Sequence, residues 1–228
     1  MATTAPDSSM RGADEKATVT AYREIKNRIL DLRYPSGTKL SETRIATELG
    51  LGRSPIRSAL ARLREEGWVA ITPQSGTYVK ALTAQDIAEV LELRLLLEAH
   101  AVERATARIS ELELRGLKRA LAMLAPHIIE GRLQEFIELD DQIHSVIYRA
   151  ADNNLITTIL YQLREKIRWI MPTSAATRER QKRALRELRG IVEALQSRDA
   201  AAAVARMREH VRNAAAFGAE AEELNRLR

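Results

Sequence analysis

The 228 residues include no cysteine. This excludes disulfides, thiolate metal sites and thiol nucleophiles, and it suits a reducing compartment. No apolar run approaches the roughly 20 residues that a membrane helix needs. The chain does not open on a basic stretch followed by an apolar one, so no secretory leader is expected. A cytoplasmic chain without membrane contact is the expectation. Strand signals are absent beyond Thr83, where only helical periodicity remains. What is present is ordinary for a folded soluble protein: 45% hydrophobic and 29% charged residues.

The net charge of +5 is unevenly spread. Residues 17–80 hold 11 basic against 6 acidic side chains, whereas residues 81–228 hold 23 against 22. A local basic excess attracts polyphosphate. A solvated basic surface would look the same, so charge alone does not name the partner.

The pattern from Leu40 to Val79 is more specific. Ser41 is placed to cap a short helix through Leu49, and Gly50 supplies a left-handed stop. Ser54 is placed to cap the next helix, with Pro55 in its first turn. Ile56, Leu60 and Leu63 form the buried stripe of that helix, and Gly67 ends it. Val69–Thr72 and Thr77–Val79 read as strands around Pro73-Gln74-Ser75-Gly76. With a helix over about 17–32, this order is that of a winged helix-turn-helix, which places its second helix in the major groove of double-stranded DNA. Arg53, Ser54 and Arg57 lie at the N-terminal end of that helix, where bases and phosphates are met. Arginine suits the task because its planar fork fits guanine or phosphate. Arg62, a turn and a half further along, is either a further contact or part of the solvated face. Gly76 would let the wing-tip backbone approach DNA, and Thr77 would bring N–H groups there.

The block Leu40-x-Glu42-x-x-Ile45-Ala46, then Arg53-Ser54-Pro55-Ile56-Arg57-x-Ala59-Leu60-x-x-Leu63-x-x-x-Gly67, then Ser75-Gly76-x-x-Val79, resembles the DNA-binding domain of the GntR family of bacterial transcription regulators. The resemblance covers nearly all of residues 17–80. It implies that Arg53, Ser54, Arg57 and the wing around Gly76 contact operator DNA. Gly52 stands where many members carry a serine or threonine that reaches a phosphate.

Residues 84–228 predict six helices joined by short connections. The expected fold class is therefore mainly α, a winged helix-turn-helix over 17–80 followed by a six-helix antiparallel bundle. Residues 1–16 are expected to be a disordered tail and 81–83 a linker. Polar residues interrupt the apolar faces of the bundle. Asp140 and His144 are four apart on the face of Phe136, Ile143 and Ile147, so their side chains can converge. His210 borders the stripe Val204, Met207 and Val211. Buried Asp and His require partners. Those partners are either one another or a divalent metal. Arg94 faces inward with Ile87, Val90 and Leu91. It either forks onto the carboxylate of a small acid or pairs with an internal acid such as Asp140.

Glu92-Leu93-Arg94-x-x-Leu97-Glu98, Asp140-x-x-x-His144, Asn153 and the stretch Ala194 to His210 resemble the all-helical FCD effector domain of the FadR branch of that family. The resemblance implies an effector site around Arg94, Asp140, His144 and His210. Metal-binding members use one Asp and three His. Asp140, His144 and His210 match three of these, and Leu188 stands where the remaining His belongs. Three ligands plus water or an effector carboxylate would still hold a divalent ion such as zinc.

The expected protein is a homodimeric, ligand-responsive repressor, not an enzyme, that reads a near-palindromic operator and answers to a small organic acid. Two alternatives stand beside it. One is a metal-dependent enzyme using Asp140, His144 and His210; the other is an architectural DNA binder with an inert bundle.

Overall fold

A computed structural model of the chain describes residues 8–174 and 177–226. It divides into two compact units, Met1–Leu82 and Thr83–Arg228.

The first unit runs α1 (Ser8–Leu30), β1 (Lys39–Leu40), α2 (Glu42–Leu49), α3 (Arg53–Glu65), β2 (Val69–Thr72) and β3 (Gly76–Val79). Ile25 and Ile29 of α1, Ile45 of α2 and Ile56 and Leu63 of α3 are fully buried, and α1 packs on α3. Fully burying one such side chain contributes about 1.5–3 kcal/mol. Helix α1 begins at Ser8, which corrects the expected tail over residues 8–16. Once the packed portion of a helix is nucleated, each residue added in front costs little and gains a backbone bond. The rest of that expected tail, residues 1–7, lies outside the described residues.

Local chemistry sets the turn between the two short helices. Ser41 Oγ accepts from the Arg44 N–H and caps α2, while Gly50 closes it at φ 63°. Helix α3 differs from expectation at its start. Gly52, in extended geometry, is the N-cap, and Ser54 lies inside the first turn. The cap is thus backbone geometry alone, and the Ser54 hydroxyl is not used for it.

The wing is a three-stranded antiparallel sheet in the order β1-β3-β2. Thr77 faces Leu40 on one side and Ile71 on the other. Strand β1 was not expected from the sequence; it pairs with β3 and makes β3 the central strand. As a half-buried residue of the central strand, Thr77 has neighbouring strands on both sides. The exposed tip is Pro73–Ser75 instead. Gly76 is required where it stands, because its φ is 126° and a Cβ there would come within 3.1 Å of Lys39 Cε.

The second unit is α4 (Ala84–Arg108), α5 (Glu111–Ile129), α6 (Leu133–Ala150), α7 (Asn154–Ser174), α8 (Arg178–Gln196) and α9 (Ala200–Arg226). Capping boxes start α4, from Thr83 and Asp86, and α5, from Ser110 and Glu113. Helix α7 runs two residues past Pro172. A proline near the end of a helix forfeits one backbone donor without ending the coil. Helix α4 packs on α9, α6 and α7, and α8 packs on α9 and α5. Ala101, Ile143, Leu188, Ile191 and Met207 meet in one buried core. Among the described residues, no helix is long and apolar enough to cross a membrane.

Candidate nucleic-acid interface and buried charged site

The structure holds two candidate sites, one in each unit. On the first unit, Arg53, Ser54 and Arg57 are all exposed at the N-terminal end of α3. The Arg57 side chain is 72% exposed, yet its guanidinium is engaged by both carboxylate oxygens of Glu42. Arg62 is placed differently. Its Nε donates to Glu66 at 3.0 Å, and its guanidinium lies 4.1 Å over the Tyr22 ring. Glu66 also accepts from the Tyr22 hydroxyl and the Trp68 indole, so Arg62 is tied into the join between α1 and α3. Lys39 is exposed beside the wing. Its place in β1 was not visible from sequence spacing.

On the second unit, Arg94, Asp140, His144 and His210 converge, as the family resemblance implied, and each is at most 2% exposed. Their partners were largely unforeseen. Arg94 Nε donates to Glu98 at 2.7 Å, and Arg94 Nη2 lies 3.3 Å from His144 Nε2. The internal acid paired with Arg94 is therefore Glu98, one helical turn along α4. Glu98 also accepts from the Tyr148 hydroxyl at 2.7 Å and lies 3.0 Å from His144 Nδ1. Asp140 has Arg164 at 3.3 Å and His210 Nε2 at 3.2 Å. Glu187 lies 3.0 Å from His210 Nδ1 and accepts from Arg180 and Asn213. Arg164 also contacts Asp141, and its Nη1 is buried without a hydrogen-bond partner among the described residues.

A signal for the missed residues does exist in the sequence. Arg164 shares a helical face with Leu160 and Ile167. Arg180 and Glu187 share one with Ala184 and Ile191. Each is a charge on an apolar stripe, as Asp140 is.

The electrostatics follow from burial and pairing. Burial opposes ionisation of Asp140, but His144, His210 and Arg164 outweigh it and hold the carboxyl well below its usual range. Burial likewise opposes charge on Glu98, and Arg94 and His144 reverse the outcome. Burial would lower the pKa of His210, yet its hydrogen bonds to Asp140 and Glu187 raise it. For Arg164, burial prevails over Asp140 and lowers the pKa.

The donor set fits a divalent ion. Asp140, His144 and His210 present ligand atoms that all lie within 4.8 Å of one another. The two Nε2 atoms stand 3.7 and 3.2 Å from Asp140 Oδ1. Ligands about 2.0–2.2 Å from a tetrahedral ion sit at comparable spacing. Glu98 and Glu187 stand behind the Nδ1 atoms, the outer arrangement that orients metal-binding imidazoles. Leu188 is a fully buried core residue, so the ion would have three protein ligands and an open position. Without an ion, the same atoms have other partners: Arg94 donates toward His144 Nε2, and His210 Nε2 lies 3.2 Å from Asp140 Oδ1.

Comparison with known proteins matches both units. Residues 17–79 match the model of bacterial regulatory proteins, gntR family, and residues 89–213 match the FCD domain. The chain is similar to the HTH-type transcriptional repressor RspR of Escherichia coli K12, with 28% identity over 190 residues covering 83% of each chain. It is also similar to the gluconate operon transcriptional repressor of Bacillus subtilis 168. That identity is 36% over 141 residues, covering 62% of this chain and 58% of the relative. The fold is that of the solved E. coli McbR/YncC, with a TM-score of 0.75 and 18% identity over 90% of this chain and 97% of that one.

Proposed function

The chain belongs to the gntR family of bacterial regulatory proteins, as a DNA-binding transcription regulator with an FCD effector domain, and we propose that it is a homodimeric repressor released from a near-palindromic operator by a small organic acid. The observation that carries the reading is the exposed N-terminal end of α3, with Arg53, Ser54 and Arg57, in the unit that also bears the wing. Two-fold symmetry would give one such helix to each half-site. Arg62 is assigned to the α1–α3 join rather than to DNA. Both relatives named above are repressors, which favours that sign of regulation. A bacterial regulator of this kind works in the cytoplasm.

The effector is assigned to the buried charged site of the second unit. Arg164 Nη1 is a buried donor in want of an acceptor, and a carboxylate supplies one. Asp140, His144 and His210 would hold a divalent ion, which when bound would offer its open position to the same carboxylate. For regulation, the acid must bind one state of the protein better than another.

Thermal unfolding against a panel of small mono-, di- and hydroxycarboxylates, with and without EDTA, tests this assignment. A cognate acid at a hundredfold excess over its Kd adds about 2.7 kcal/mol to stability, and the same acid should release bound duplex. An acid that stabilises the protein but leaves DNA binding unchanged would contradict the coupling.

A further inference from the structure

We propose that Glu42 is a positioning residue for base reading: it grips the Arg57 guanidinium by one edge and presents the other end to DNA. Arg57 Nε lies 3.3 Å from each Glu42 oxygen, and Nη2 lies 3.1 Å from Oε2. This side-on pairing consumes Nε–H and one Nη2–H. Three donors remain, two on Nη1 and one on Nη2. Adjacent Nη1 and Nη2 donors form the fork that matches guanine O6 and N7. The grip spans two helices, because Glu42 opens α2 and Arg57 lies in α3. The long side chain therefore loses rotamer freedom before DNA arrives, not upon binding. The Glu42 charge also offsets that of Arg57. The pair consequently adds little to sequence-independent attraction for phosphate, and its contribution is selective.

This inference rests on the proposed placement of Arg57 in the major groove. The test uses the full chain and a pool of randomised duplexes, from which the enriched sequence and a scrambled control are taken forward. Wild type, Glu42→Gln, Glu42→Asp and Arg57→Ala are compared at fixed salt, with thermal unfolding as the fold check. Glu42→Asp keeps the negative charge at the start of α2 but is one methylene too short to hold both nitrogens. For both Glu42 variants, the ratio of enriched to scrambled affinity should fall roughly three- to thirtyfold, with one guanine preference flattened. Scrambled-duplex affinity should be unchanged or higher in Glu42→Gln, because an acid near the phosphates is gone. A merely structural or repulsive acid predicts otherwise, with both affinities moving together and the base profile intact. If Arg57→Ala flattens a position that Glu42→Gln leaves sharp, the positioning role is overturned and the groove assignment survives. If Arg57→Ala leaves the whole profile unaltered, the groove assignment itself fails.

Discussion

Glu98→Ala should destabilise the second unit by about 3–5 kcal/mol, the range for breaking a buried ion pair from one side. Glu98 is fully buried and its side chain serves three partners: Arg94, Tyr148 and His144. Removing it leaves the Arg94 guanidinium, 2% exposed, without its carboxylate in a low-dielectric interior. It also takes the acceptor from the buried Tyr148 hydroxyl. Replacing both charges, as in Arg94→Met with Glu98→Leu, should recover much of the loss, because the pair has repaid its own desolvation only in part. Urea unfolding followed by Trp169 fluorescence in a Trp68→Phe background reads the effect. The deficit also has a pH signature. The folded Glu98 carboxyl lies below its ordinary value, so its contribution is complete above the unfolded value of about 4.3. It fades progressively below that value and is lost once pH has fallen through the lower, folded value. The gap between wild type and Glu98→Ala should therefore be constant from neutral pH down to about 4.3 and close in stronger acid. A gap that widened with acid would contradict the ion-pair account.

Arg57→Ala is the second large effect. A bidentate arginine contributes about 1–3 kcal/mol of discrimination at one base pair. In the proposed dimer the substitution occurs in both half-sites, so specific affinity should fall by about 2–6 kcal/mol, or roughly thirtyfold to twenty-thousandfold. Stability should hardly change, because the side chain is 72% exposed and its ion pair with Glu42 lies at the surface. Gel shift on an enriched duplex measures the loss, and far-UV circular dichroism reports the fold. Equal affinities for wild type and variant would remove α3 from the interface.

Legibility differed by element for physical reasons. Features set by local chemistry were readable: the Gly50 stop, the Ser41 cap and the apolar stripe of α3. Each links residues no more than four positions from the next. Strand β1 was not readable, since two residues show no alternation and pair only because β3 comes beside them. The buried site was legible as polar residues on apolar faces, which is why Arg94, Asp140, His144 and His210 were found. Most of their partners were not legible. Arg164 meets Asp140 from 24 residues away and Tyr148 meets Glu98 from 50 residues away, distances that only the packing of α4, α6 and α7 closes. The Glu98 partner of Arg94 lay within local reach, four residues on, but nothing in the spacing ranked it above Asp140.

The most direct measurement is the affinity of the full, unmodified chain for an enriched duplex against a scrambled duplex of the same length, at physiological salt. A sequence-reading regulator predicts a ratio of at least about a thousandfold. A ratio near one, with both affinities falling equally as salt rises, would mean that the basic surface binds phosphate alone and that α3 reads no bases.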